Sequence, residues 1–299
     1  MPNGDRTINA PAIPYRIEFS RDGRHLIAAC NDGHLRTWDV SSGKLLTERS
    51  RKKEDGPAAL LDARHYADLD AQNGIRIWDL SSDAQARTLY GHASRPSRVA
   101  LSPDGQLVAS ASEKETSVRL WNASTGQQKH LLADGIGGVA EFAFSPDSET
   151  LVSTNYDNDI RIWKTRSGEL VRKIESMTGA MFSAEFSPDG KLLLMAGLDE
   201  TVYVYDAKNW SLLKQLKGHG ETIAALAISP DSRMVVTGGF DVITVRNPVK
   251  VVFWDLASGK VLRTVNSPHR VVALAFSPDG RWVAMTANEK EISLWQVPA

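Results

Sequence analysis

An aromatic residue followed by Asp, or by a substitute for it, returns seven times along the chain, at Trp38-Asp39, Trp78-Asp79, Trp121-Asn122, Trp163-Lys164, Tyr205-Asp206, Trp254-Asp255 and Trp295-Gln296. The spacings are 40, 43, 42, 42, 49 and 41 residues. A fixed period near forty describes an array of one structural unit, because a segment so short cannot bury its own apolar face and must stack on a neighbour. The unit is clearest from Gly218 to Asp255. It holds Gly218-His219, an apolar run from Ile223 to Ile228, the turn signal Ser229-Pro230-Asp231, a second run from Met234 to Thr237, Asp241, and Phe253-Trp254-Asp255.

Within a unit the residues read as four short strands. Pro presets φ for the second position of a tight turn, and Asp and Gly tolerate the positions after it. Ser102-Pro103-Asp104-Gly105, Ser187-Pro188-Asp189-Gly190 and Ser277-Pro278-Asp279-Gly280 therefore each join two strands. After the aromatic, Ser42-Gly43-Lys44, Thr125-Gly126, Ser167-Gly168 and Ser258-Gly259-Lys260 place a Gly where the chain reverses into a last strand. The stretches between turns are rich in Val, Ile, Leu, Ala and Thr and too short for helices, so the chain is expected to be almost entirely β.

These residues resemble the WD-repeat, or β-transducin-like, propeller family over essentially the whole chain. The resemblance implies an all-β fold: a seven-bladed β-propeller of four-stranded antiparallel blades, with strands a to d running outward from a central channel and the ring closed by the N-terminal strand. It places one domain over residues 1–299, in approximate repeats 10–50, 51–85, 86–127, 128–169, 170–211, 212–260 and 261–299, with residues 3–9 as the closing strand of the last blade. The pattern is uneven. Only the third and sixth units open with a Gly-His pair (Gly91-His92 and Gly218-His219), and the second has neither a Ser-Pro-Asp turn nor a clear strand b. By the same resemblance His219, Thr237, Asp241 and Trp254 form a hydrogen-bond network that satisfies buried polar groups, whereas the third unit has Glu115 where the family favours Asp.

A ring of repeats also accounts for length, since burial between neighbours needs no common centre. Charged residues make up 24% of the chain and leave a net charge of −1, so no whole-molecule field favours nucleic acid or an anionic membrane. The single cysteine, Cys30, cannot form an internal disulfide, and no apolar run reaches the roughly 18 residues that a bilayer requires. A soluble, cytoplasmic protein is expected. No cofactor or metal is expected either: Gly43-Lys44, Gly190-Lys191 and Gly259-Lys260 lack the Ser or Thr of a phosphate loop, and Cys30 and His34 have no second pair to complete a zinc site. Arg36, Arg76, Arg119 and Arg161 stand two residues before an aromatic, a register that puts each on the same blade face as its Trp, paired to turn acids rather than to nucleic acid.

The functional expectation is a non-enzymatic protein-protein interaction scaffold, holding peptides or protein domains on the top face formed by the d-to-a and b-to-c connections. Alternatives are an enzyme with a site at the channel mouth and a sensor or docking subunit of a larger assembly. Two stretches mark the top face. One is the charge cluster containing Arg51, Lys52 and Lys53. The other lies in the sixth unit, where Trp254 follows Asp241 by thirteen residues instead of six, so that Val242 to Val249 forms an insertion expected to project as a hairpin. Phe240, Val242, Val245 and Arg246, with His269 and Arg270 from the next connection, are the expected partner site; its apolar β-branched residues invite cover.

Overall fold

The computed structural model describes residues 5–50, 59–61, 65–79, 82, 85–112, 114–134, 138–175, 179–240, 248–287 and 289–298. Its turns form as their residues dictate. In the strand a-to-b turns the serine hydroxyl donates to the aspartate two residues on, at 2.6 Å for Ser102 to Asp104, 2.7 Å for Ser187 to Asp189 and 2.6 Å for Ser277 to Asp279. Each serine oxygen also accepts the amide five residues ahead, at 2.9 Å from Leu107, Leu192 and Trp282, which fixes where strand b starts. Ser148 and Ser232 take the left-handed conformation that Gly105, Gly190 and Gly280 take in sister turns. Their hydroxyls accept the amides of Asp104 and Asp189 in the preceding blades, at 3.1 and 3.2 Å, so side-chain hydrogen bonds link neighbouring turns.

Among the described residues these turns join strands into seven four-stranded antiparallel sheets. Blade 4 is representative, with strands Val139–Phe144, Thr150–Asn155, Ile160–Lys164 and Leu170–Ile174 paired in sequence order. A meander of this kind puts the d-to-a and b-to-c connections at one end, the top face, and the others at the opposite end. The a strands of blades 4, 5, 6, 7 and 1 touch in succession, so they are the innermost strands of a closed ring.

Apolar packing follows the seams. The described residues form seven buried clusters, each spanning two adjacent blades: Leu194 and Val204 of blade 5 meet Ile223, Val235 and Trp254 of blade 6, and Ile8, Ile292 and Leu294 of blade 7 meet Ile17, Leu26 and Trp38 of blade 1. Outside the clusters, among the described residues, a side chain on strand d ties five of the seams to the end of strand c or the c-to-d turn of the next blade. His130 donates to the Arg166 carbonyl at 2.9 Å, Arg172 to Asn209 at 2.9 Å, Lys214 to Leu256 and Ala257 at 2.8 Å, Arg263 to Gln296 at 3.1 Å and Arg6 to Ser41 at 3.1 Å.

Sequence patterning leaves the second unit without a clear strand b, and here the structure differs. His65–Leu69 pairs with Ile75–Asp79, hidden from pattern reading because Asp68 occupies the place of a strand b hydroxyl. Among the described residues, strand a of this blade comprises Ala59–Leu60. Among the described residues the cluster at the seam of blades 1 and 2 has Ala29, Leu35 and Tyr66 buried, with Trp78 half-buried beside them. Thr47 stands where blades 3 to 6 carry a basic residue on strand d.

Ring closure by the N-terminal strand agrees with the expectation. Arg6–Asn9 pairs antiparallel with Glu291–Gln296, Arg6 opposite Leu294 and Asn9 opposite Glu291. Asp5 extends the join, accepting the Gln296 amide at 3.1 Å and an Arg263 bond at 3.3 Å, and Ala10 donates to the Lys290 carbonyl at 2.8 Å. Removing residues 1–10 strips one sheet of its outer strand and exposes the cluster under Ile8, which is 2% exposed. That deletion is expected to lower the thermal midpoint, and Ile8→Ala alone to cost about 2–4 kcal/mol in denaturant unfolding. A truncated protein that melts with the full chain would show that closure contributes nothing.

Candidate functional site

Among the described residues the most complete polar network is in blade 3. Trp121 on strand c donates its indole N–H to Ser110 Oγ at 2.7 Å, and Ser110 meets His92 Nε2 at 2.6 Å. His92 Nδ1 lies 2.8 Å from Glu115 Oε2, whose other oxygen accepts the Ala93 amide at 2.5 Å. Desolvation lowers the His92 pKa below its ordinary value despite Glu115, so the ring is neutral at pH 7. The chain of donors then has one consistent order: indole to serine, serine hydroxyl to Nε2, and Nδ1–H to the carboxylate. Burial pushes Glu115 up, but the bonds from His92 and Ala93 bring it below the usual range.

Serine, histidine and acid at these distances share the geometry of a hydrolytic relay. Ser110 is nevertheless fully buried and already accepts the Trp121 N–H, so no acyl group can reach it. The relay is structural. Glu115, the apparent departure from the family pattern, closes it, its longer side chain spanning the turn to reach both the imidazole and the backbone of the d-to-a connection.

In blade 6 the Trp254 indole donates to Thr237 Oγ1 at 2.9 Å, but among the described residues neither ring nitrogen of fully buried His219 makes a hydrogen bond. Asp241, the remaining member of that expected set, lies outside the described residues. Desolvation drives His219 down to about 4, against the weaker pull of the Thr237 and Glu221 backbone.

The strand c arginines meet acids as the sequence register implies. Arg36 contacts Asp32 at 2.6 Å, Arg119 contacts Glu115 at 3.3 Å and Arg161 contacts Asp157 at 2.7 Å. Its bond to Arg36 holds Asp32 down at about 2. In blade 2 the partner is the strand residue Asp68, which takes Arg76 at 2.7 Å and the Trp78 indole at 3.1 Å. In blade 5 Tyr203 replaces the arginine and bonds Asp199 at 2.5 Å. Glu185, half-buried on strand a of blade 5, is pushed up to about 8 by desolvation among the surrounding strands, with the Ile228 amide as a weaker opposing contact.

Of the expected partner site, the structure brings Phe240 and Arg270 together: the guanidinium lies 5.3 Å from the Phe240 ring centroid, across the seam of blades 6 and 7. Beside them His269 Nε2 is 2.5 Å from Glu289 Oε1. Arg51, Lys52, Lys53, Val242, Val245 and Arg246 lie outside the described residues, as does the rest of the expected hairpin over 241–247. Val249 does not belong to that insertion. It opens strand c, paired with Ser267 and 2% exposed, because the ladder recruits any residue whose side chain faces the seam. At the bottom end, a cleft of about 760 Å³ between blades 6 and 7 is lined by Met234, Leu262, Trp282 and Val297, a feature that repeat patterning did not mark. Among the described residues no cluster of three or more His, Cys, Asp or Glu could hold a metal ion, and no helix is long and apolar enough to cross a membrane.

The family model described as "WD domain, G-beta repeat" matches residues 6–39, 84–122, 127–164, 168–206, 210–241 and 259–296. Curated relatives include "WD repeat and SOCS box-containing protein 1" of Takifugu rubripes, 28% identical over 106 residues, which are 32% of this chain and 23% of that protein. "Protein LST8 homolog" of Drosophila melanogaster is 29% identical over 102 residues, 33% of each chain. The matched stretch is thus a third or less of either relative.

Ser110→Ala strands both the Trp121 N–H and His92 Nε2 and is expected to cost about 2–4 kcal/mol in denaturant unfolding; a loss under 1 kcal/mol, or roughly that of a surface change, would remove the network from the stability account. The two titrations act on opposite limbs of the pH profile. His219 has its folded pKa depressed, so its contribution is full above about 6.5 and is lost as pH falls toward about 4, by up to about 1.4 kcal/mol per unit. Glu185 has its folded pKa raised, so the fold prefers the protonated form and loses stability as pH climbs from about 4.5 to about 8. Melting curves against pH should therefore show His219→Asn flattening the acid limb and Glu185→Gln raising the midpoint at pH 9 but not at pH 5. Unchanged slopes in both variants would contradict these assignments.

Proposed function

The chain belongs to the WD-repeat family, and from that premise we propose that it is a non-enzymatic scaffold that binds peptides or protein domains on its top face. The observation that carries this reading is the pairing of Phe240 with Arg270 at the top of the seam between blades 6 and 7. A half-buried aromatic held under an exposed guanidinium offers an apolar surface and N–H donors side by side, the combination that anchors protein interfaces. His269 and Glu289 border it, and Val242, Val245 and Arg246 follow Phe240 directly in sequence. Arg51, Lys52 and Lys53 form a second, basic element of the proposed partner site. A cytoplasmic location and the absence of nucleic-acid, membrane and cofactor binding belong to the same proposal.

The name of the SOCS-box relative joins WD repeats to a further module, which supports the docking reading over a catalytic one. Replacing residues 242–247 by Asn-Gly keeps Val249 in its strand and should leave the melting midpoint close to wild type. Phe240→Ser with Arg270→Glu should do the same. Both variants are expected to lose about tenfold or more in affinity for the partner isolated with the wild-type protein from its native cell, identified by crosslinking at this seam. Full retention of every partner by both folded variants would refute the site.

A further inference from the structure

The b-to-c turns of blades 4 and 5 each end an apolar strand with an exposed large side chain: Tyr156 is 47% and Leu198 42% exposed. Both occupy one register, directly before the turn aspartates Asp157 and Asp199. Their backbones are pinned alike, the Tyr156 amide donating to the Gly138 carbonyl at 2.9 Å and the Leu198 amide to Ala180 at 3.1 Å. Leu198 stands over Gly179, where a Cβ would come within 3.1 Å of its own Cβ, so the glycine leaves room for it. Two apolar side chains are thus fixed in the same frame on adjacent blades, facing solvent at a cost in hydration that folding does not require.

Charge decides what covers them. The d-to-a connections that lead into these two blades and their b-to-c turns, residues 134–138, 156–159, 175–180 and 198–201, hold six carboxylates and no Lys, Arg or His, in a chain whose net charge is only −1. Two cations reach in from strands and are already engaged: buried Arg161 with Asp157 at 2.7 Å, and Lys173 with Asp159 at 2.7 Å. Asp134 is held only loosely by Arg161 at 3.7 Å and Glu175 by Lys173 at 3.8 Å, while Glu200 is exposed on a left-handed turn residue. The surface therefore repels phosphate-bearing partners and attracts cations.

We propose that the top of blades 4 and 5 binds a peptide segment in which Lys or Arg alternates with large apolar residues, the apolar groups covering Tyr156 and Leu198 and the cations meeting Asp134, Glu175 and Glu200. This deepens the top-face reading by adding a second contact surface with a defined partner chemistry.

The test uses three short labelled peptides with the full chain in fluorescence anisotropy: Leu alternating with Lys, Leu alternating with Glu, and Ser alternating with Lys. The Leu/Lys peptide is expected to bind about tenfold or more tighter than either other peptide. Tyr156→Ser with Leu198→Ser should lose that advantage, and Glu175→Gln with Glu200→Gln should weaken binding and flatten its salt dependence. Both variants change exposed side chains, and matched melting curves establish that they fold. Equal binding of the Ser/Lys peptide, no binding of the Leu/Lys peptide, or wild-type affinity in either variant overturns the proposal. If binding is instead lost in Phe240→Ser with Arg270→Glu and kept in the blade 4 and 5 variants, this surface is wrong while the top-face reading stands.

Discussion

A four-stranded sheet has two apolar faces and no interior of its own, so everything in this protein depends on burial at the seams between blades. A buried Trp removes on the order of 200 Å² from water, worth about 5 kcal/mol as an upper bound. Leaving its indole N–H without an acceptor costs about 1–3 kcal/mol of that. Trp121, Trp163 and Trp254 are accordingly served by Ser110, Ser153 and Thr237 on strand b. A non-directional force is thus coupled to a directional one: apolar packing holds neighbouring blades together, and the strand b hydroxyl of the same blade orients the indole that each blade presents to the seam.

The two blades with a Gly-His pair use this logic to different depths. In blade 3 every polar group of the relay has a partner, so the network rigidifies the connection that carries Ala93 and Ser94. In blade 6 the imidazole is buried without a hydrogen bond among the described residues, next to Gly238 and Gly239, where a Cβ would collide with Val271 or with Glu221. Glycines there let blade 7 and the His219 connection close tightly on strand b. The price is a neutral histidine whose protonation the fold opposes.

The fold was legible because period, turns and aromatic positions are local chemistry repeated at fixed spacing. Seven strand c aromatics, four of them followed by Asp, and the Ser-Pro-Asp turns require nothing from distant residues. What escaped reading depends on substitution across elements: Asp68 serves as an acceptor in place of a hydroxyl, Tyr203 reaches a turn acid in place of arginine, and Glu115 completes a network that Asp was expected to complete. The seam ties had a signal that went unused, since His130, Arg172, Lys214 and Arg263 each stand nine residues after the aromatic of their blade. Of the candidate site, the proximity of Phe240 and Arg270 was legible from the order of connections. The exposure of Tyr156 and Leu198 was not, because a bulky residue before a turn acid reads equally well as core.

The join between Arg6–Asn9 and Glu291–Gln296 sets the order in which the molecule can be made. Strands a to d of blades 1 to 6 each pair with near neighbours and can assemble while the chain is still being synthesised. Arg6 finds Leu294 only after 287 intervening residues have left the ribosome. Until then the first strand waits without a sheet, and the incomplete ring offers two unsealed ends to any other chain nearby. The rate of synthesis, rather than the rate of strand pairing, governs how long that vulnerable interval lasts.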